Sequence, residues 1–227
     1  MKNSSSLEIL FDNYSVCNEC QSLWGFSGYL PEYKLLFDTG SNGRVLLKNM
    51  EQLGVDIQAV EYLFITHSHW DHIGGLDSVI ELNPNITIFA PSSLSKHLLR
   101  DLKSMVHEVV ICGKKPQYLF ANLHTTGLLG TQMPEHSLCI EHEKSIDIIT
   151  GCGHFGIENI AQKAQEYLGK RVQGVYGGFH LMYEDEQKIL KTIACLKELG
   201  VEYAHATHCS GDRAIELFEQ HFRKDSH

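Results

Sequence analysis

No run of about 18 consecutive apolar residues occurs in this chain of 227 residues, so no membrane span is expected. The opening residues, MKNSSSLEILFDN, lack an apolar core followed by a small-residue cleavage site, so no secretory signal is expected either. Positive charge is scarce. Lys and Arg number 19 against 28 Asp and Glu, a net charge of −9. That balance argues against a protein that grips nucleic acid mainly through its phosphates. It leaves room for a metal-bearing cleft that is locally positive. The seven cysteines are an odd, scattered set, whereas disulfide scaffolds use even sets in short secreted chains. A reducing, cytoplasmic setting is therefore expected, with Cys17 and Cys20 as unlinked thiols. Internal repeats, low-complexity runs and a convincing linker are all missing. The chain is accordingly expected to form one domain spanning 1–227.

The composition is that of a globular protein. It is 43% hydrophobic and 21% charged, outside the disordered and collagen-like classes. A chain of this length buries roughly 70–75% of its unfolded surface and needs no covalent staples. Apolar strand-like runs alternate with helical patterns, which points to the α/β class. Strands are expected at Leu7–Phe11, Lys34–Phe37, Tyr62–Thr66, Ile86–Ala90, Val109–Cys112, Ser137–Glu141, Ile146–Thr150, Val172–Val175 and Tyr203–Ala206. Helices are expected at Gly43–Leu53, Gly74–Glu81, Ser92–Lys103, Gly156–Leu168, Asp185–Leu199 and Asp212–His221. The pairs Leu53-Gly54 and Leu199-Gly200 supply glycine where a left-handed helix stop is wanted. The strands flanking Glu143-Lys144 read as a hairpin. Lys114–Gly130, with Pro116 and few periodic features, reads as an active-site loop.

The chemistry concentrates in Thr66-His67-Ser68-His69-Trp70-Asp71-His72, directly after the apolar run Tyr62-Leu63-Phe64-Ile65. Residues two apart on extended chain face the same way, so His67 and His69 can share one metal ion. Asp71 and His72 follow where the chain turns toward Gly74-Gly75 and can face a second. Imidazole and carboxylate suit Zn²⁺ or Fe²⁺. One segment does not complete two metal sites. His154, in Gly151-Cys152-Gly153-His154, and His208, in Thr207-His208-Cys209, both stand at strand ends. We assign His154 to the first ion and His208 to the second.

These residues together resemble the metallo-β-lactamase superfamily. Thr-His-x-His-x-Asp-His after an apolar strand looks like its signature, and Phe37-Asp38-Thr39-Gly40 matches its upstream Asp-x-Gly turn. Gly151–His154, Thr207–Cys209 and Gly177-Gly178-Phe179-His180-Leu181 are similar to a subgroup of dihydropterin-ribofuranosylaminobenzene phosphate synthase-like proteins and metal-dependent hydrolases. The resemblance implies a four-layer αββα sandwich of two mixed β-sheets. It also implies one or two divalent ions (Zn²⁺ foremost, Fe²⁺ or Mn²⁺ as alternatives) and a buried Asp38 hydrogen-bonded behind the ligands. Most members of that family bridge their metals with an aspartate. Here the matching strand ends in Tyr176-Gly177-Gly178-Phe179-His180, with no carboxylate. His180 is left with three roles: ligand of the second ion, hydrogen-bond partner of substrate, or a strand-end side chain.

The implied function is a hydrolase of a small phosphoester or cyclic ester, in which a metal-bound hydroxide attacks and Asp71 both ligates and orients it. Gly153 and Gly156 would offer backbone donors to an anionic substrate. The substrate is a small molecule, with neither nucleic acid nor membrane as partner. Two alternatives accompany this reading: a transferase of the synthase type, and a catalytically silent metal-holding sensor. Gly151–Gly156 is also literally G-x-G-x-x-G, but the next strand ends without the acidic residue that a dinucleotide site wants about 20 residues on.

Overall fold

The computed structural model describes residues 7–222 and divides the chain into two compact units, Met1–Cys112 and Gly113–His227. The first unit carries strands β1 (Glu8–Phe11), β2 (Ser27–Leu30), β3 (Leu35–Phe37), β4 (Tyr62–Phe64), β5 (Thr87–Pro91) and β6 (Glu108–Cys112) in one sheet, in that spatial order. β1, β2 and β3 run antiparallel, whereas β3 to β6 are mutually parallel. Helices α1 (Gly43–Gln52), α2 (Trp70–Ile73), α3 (Leu76–Leu82) and α4 (Lys96–Met105) make the crossovers. The parallel strands are short and apolar on both faces, as covered strands must be. The unit's core joins Leu36, Leu63, Ile65 and Ile88 to Leu46, Met50, Val79 and Ile80 of α1 and α3.

The second unit repeats the plan of a meander followed by parallel strands. Its sheet runs β12-β11-β10-β9-β8-β7. β7 (Gln117–Phe120), β8 (Leu123–Thr125), β9 (Leu138–Glu141) and β10 (Ser145–Thr150) are antiparallel neighbours, and β10, β11 (Arg171–Gly178) and β12 (Tyr203–Thr207) are parallel. Helices α5 (Ile157–Leu168), α6 (Glu186–Glu198) and α7 (Asp212–His221) close a second core. In it Ile148, Val175 and Phe179 meet Ile160, Ile193, Leu217 and Phe218.

Two mixed sheets flanked by helices make the chain α/β, as the alternation predicts. The expected strands and helices are present within a few residues, and the Glu143-Lys144 hairpin is β9–β10. Gly54 and Gly200 have positive φ (74° and 87°) directly after the capping residues Leu53 and Leu199 of their helices, as the stops require. Three strands went unread. β2 (Ser27–Leu30) has no alternation because all of it is buried. The Lys114–Gly130 segment is a correction: it holds the β7–β8 hairpin, whose bulge between Tyr118 and Phe120 breaks the period-two pattern. The Cys17–Cys20 pair is a second correction, since the two thiols are joined in a disulfide. No helix among the described residues is long and apolar enough to cross a membrane.

Candidate metal centre

In each unit the candidate ligands stand just past the carboxyl ends of parallel strands, where an open α/β sheet places its ligands. In the first unit β3 runs into Asp38 and β4 into Thr66-His67. Asp38 is fully buried and adopts φ 52°. Its carboxylate accepts from the Thr66 amide (2.8 Å), the Thr66 hydroxyl (2.7 Å) and His72 Nδ1 (2.7 Å). The Thr66 hydroxyl has one proton, given to Asp38, so it accepts from His67 Nδ1 at 2.9 Å. Both imidazoles therefore carry their proton on Nδ1 and present an Nε2 lone pair. A single carboxylate fixes two tautomers, one directly and one through a hydroxyl.

His67 Nε2 and His69 Nδ1 lie 3.0 Å apart. Two nitrogens sharing a tetrahedral ion at about 2.0–2.1 Å would be roughly 3.3 Å apart. The pair is thus already spaced for one cation, as the i, i+2 relation predicts. Asp71 and His72 sit in the short α2 rather than in an open turn. Their side chains approach to 3.8 Å between Asp71 Oδ2 and His72 Nε2, and the His67 and His72 rings lie 4.3 Å apart. The loop is anchored from behind, since the Asp71 carbonyl accepts from the Phe26 amide and the His72 carbonyl from the Thr39 amide and hydroxyl. Trp70, between the ligands, is 63% exposed and packs into no core.

The second unit uses the same device with a carboxylate that the sequence reading missed. Glu135 is buried, and its Oε1 accepts from the Thr150 hydroxyl and from the amides of Gly151, Cys152 and Gly153 at 2.8–3.1 Å. Its Oε2 accepts from the His154 amide (3.1 Å) and from His154 Nδ1 (2.7 Å). One side chain thus shapes the whole turn after β10 and leaves His154 Nε2 as the presented donor. This corrects the expectation for Gly153 and Gly156. The Gly153 amide serves Glu135, and the Gly156 amide donates to the Gly153 carbonyl at 2.8 Å, so neither is turned toward an anion. His124, in the Lys114–Gly130 segment, is on β8 between Glu141 (3.0 Å) and Tyr167 (3.2 Å).

His208 and His180 follow β12 and β11 with φ of 50° and 52°. Such left-handed backbone is rare for a side chain of this size and gathers at functional positions. His208 is buried, whereas His180 is exposed and its ring lies 4.7 Å from that of His154. Cys209 differs from the other buried thiols. Burial pushes Cys112 and Cys139 up to about 12. Burial also pushes Cys209 up, but hydrogen bonds with Cys152 and His180 and the charge of His208 outweigh it and hold the thiol well below its ordinary value. The hydrogen bond with Cys209 in turn raises His180, against the opposing effect of burial.

In each unit, taken by itself, the donors suit a divalent cation. Three imidazoles, His67, His72 and His154, each have Nδ1 held by an oxygen at 2.7–2.9 Å, which orients the ring and frees Nε2. Metal-binding histidines are held in this way.

Residues 25–112 match the sequence family described as the metallo-β-lactamase superfamily. A 7,8-dihydropterin-6-methyl-4-(β-D-ribofuranosyl)-aminobenzene-5'-phosphate synthase of Methanocaldococcus jannaschii is 28% identical, over 85% of this chain and 80% of its own. A solved structure of a metal-dependent hydrolase of the β-lactamase superfamily superposes with a TM-score of 0.79 at 26% identity, covering 95% of this chain and 92% of the other. The short form of human tRNase Z superposes with a TM-score of 0.59 at 16% identity, over 89% of this chain and 92% of that one, a likeness of fold alone.

Proposed function

We propose that this chain, whose residues 25–112 match the metallo-β-lactamase superfamily, is a metal-dependent hydrolase of a small soluble phosphoester or cyclic ester. It holds one or two divalent cations, Zn²⁺ foremost; the candidate ligands are His67, His69, Asp71 and His72 in the first unit and, taken by themselves, His154 and His208 in the second. The observation that carries this reading is the fixing of Nδ1 in His67, His72 and His154 by Thr66, Asp38 and Glu135. Buried imidazoles held so that each Nε2 stays aprotic are suited to Lewis-acid binding rather than to proton shuttling.

The bound cation supplies Lewis acidity toward a phosphoryl or carbonyl oxygen and makes water acidic near neutral pH. The chain's own groups do the rest. Asp38 and Glu135 hold the Nδ1 protons in place and keep the rings from turning. Asp71, with its carboxylate buried beside His72, orients the attacking water by accepting its hydrogen bond. Neither a serine nor a cysteine nucleophile is required. The net charge of −9 argues against a substrate gripped mainly through nucleic-acid phosphates. The five cysteines outside the Cys17–Cys20 bond support a cytoplasmic setting, against that bond.

Protein loaded with Zn²⁺, Mn²⁺ or Fe²⁺ is expected to cleave at least one ester in a broad panel, and His69→Ala to abolish that cleavage. Activity unchanged in His69→Ala rejects the mechanism. The resemblance to the archaeal synthase favours a second reading, a transferase. That reading requires product to form only when two co-substrates are supplied together, with no turnover of either alone.

A further inference from the structure

Strands β10, β11 and β12 are parallel neighbours and end side by side. Each delivers one polarisable or borderline donor just beyond its last residue: Cys152 after β10, His180 after β11 and Cys209 after β12. Their ligand atoms, two sulfurs and one imidazole nitrogen, all lie within 4.8 Å of one another. On a tetrahedral ion with Zn–S of about 2.3 Å and Zn–N of about 2.0 Å, such donors stand roughly 3.5–3.8 Å apart. A closure of about 1 Å is enough to bring them onto one ion. Both cysteines are buried and His180 is exposed, so the trio has a dry floor and one side open to solvent.

The surrounding backbone is built to admit the sulfur. A Cβ on Gly178 would stand 2.7 Å from Cys209 Sγ and 2.4 Å from the Gly151 carbonyl. Glycine at the end of β11 is therefore what lets the Cys209 sulfur occupy that space. The loops bearing His180 and Cys209 are tied together, because the Phe179 amide donates to Ser210 Oγ (2.9 Å) and the Met182 amide to the Cys209 carbonyl (3.2 Å). The left-handed φ of His180 is held by these ties.

We propose that Cys152, His180 and Cys209 form a sulfur-containing binding site for a borderline divalent cation, Zn²⁺ foremost, with a fourth position open to solvent or substrate. Thiolate with imidazole selects Zn²⁺ over Mg²⁺ or Mn²⁺, which favour oxygen donors. Each thiol releases one proton to solvent on binding, so two thiolates offset the ion's two charges. Cys152 and Cys209 adjoin His154 and His208 in sequence, so this site neighbours candidate ligands already described, and the experiment is chosen so that its failure and that of the hydrolase reading are distinguishable.

The test is an anaerobic Co²⁺ titration of the full chain carrying Cys17→Ser and Cys20→Ser, which removes the other close pair of thiols. Thiolate bound to Co²⁺ gives charge-transfer absorption in the near ultraviolet. This band is expected in the parent, to be lost in Cys152→Ser and in Cys209→Ser, and to persist in His69→Ala. X-ray absorption of the Zn²⁺-loaded parent, which needs no further variant, is expected to show sulfur scatterers at about 2.3 Å. Absence of the band and of sulfur scatterers in the parent overturns the proposal. So does a band that survives when both Cys152 and Cys209 are serine. The band without ester hydrolysis leaves this site standing and the hydrolase reading fallen, and hydrolysis without the band does the reverse.

Discussion

Asp38→Asn tests the hydrogen-bond chain behind the ligands. Asparagine keeps the shape and tolerates the φ of 52° at this position better than alanine would. Its oxygen can keep the bond from the Thr66 amide. Its NH₂ then occupies the place of Oδ2, where both the Thr66 hydroxyl and His72 Nδ1 donate. Donor faces donor, so the Thr66 hydroxyl turns and gives its proton to His67 Nδ1, 2.9 Å away. Both imidazoles are driven to carry hydrogen on Nε2, the atom needed for a cation. Three bonds to a charged acceptor, each worth about 1.5–3 kcal/mol, become neutral bonds of about 0.5–1.5 kcal/mol or are lost. The expected loss of folding stability is about 3 kcal/mol. Metal affinity should fall by about 10–100-fold, the usual effect of removing a partner that orients a ligand. That is about 1.4–2.7 kcal/mol, and the upper end is expected because two rings are affected. Urea unfolding measures the first quantity, and competition with a chromophoric chelator the second. An affinity within about twofold of the parent, or about 0.4 kcal/mol, refutes the chain from Asp38 through Thr66 to His67.

Glu135→Gln should act likewise in the second unit. It leaves an amide group facing the donors of residues 150–154 and should cost about 3–5 kcal/mol, with hydrogen exchange accelerating at the Gly151, Cys152 and Gly153 amides; unchanged protection there would disprove the role. Glu141 is held below the ordinary carboxylate value, first by the hydrogen bond from Lys170 and then by His124, against a rise from burial. Because its folded value is depressed, it stabilises above its unfolded value of about 4.3 and ceases to do so as pH falls through the folded one. Glu141→Gln should therefore be about 0.2–1 kcal/mol less stable at neutral pH, with the gap closing on acidification, and a gap that widens in acid contradicts the sign. Asn42 caps α1 by accepting from the Arg44 and Val45 amides. Asn42→Ala should lower stability by about 1 kcal/mol in thermal unfolding, with metal affinity unchanged.

What the sequence made legible is what local patterning controls. Apolar runs ending in His67 and His154 marked β4 and β10 because a buried parallel strand must be continuously apolar. The close approach of His67 Nε2 and His69 Nδ1, 3.0 Å apart, followed from the two-residue period of extended chain. The strands of the antiparallel meanders were harder to read. β2 is buried on both faces, and the bulge in β7 spoils its alternation, so neither leaves a periodic trace. The disulfide at Cys17 and Cys20 was unreadable for another reason: two thiols with three residues of separation suit a loop, a metal or a bond equally until the backbone brings them to a Cα–Cα distance of 5.0 Å.

The two carboxylates behind the imidazoles show where legibility ends. Asp38 and Glu135 do the same work, each buried, each fixing an Nδ1 proton and shaping the turn that bears a ligand. Asp38 could be picked out because its turn, Asp38-Thr39-Gly40, follows an apolar strand within one short motif. Glu135 lies 19 residues before the histidine that it orients and precedes it by a whole hairpin. Nothing in Pro134-Glu135-His136 distinguishes it from a solvated loop acid. Its signature is energetic rather than sequential: a carboxylate buried with this many donors is stable only if every one of them is in place. The turn from Thr150 to His154 is therefore a consequence of Glu135, and a substitution far away in sequence should disorder it before any change in the histidine itself would.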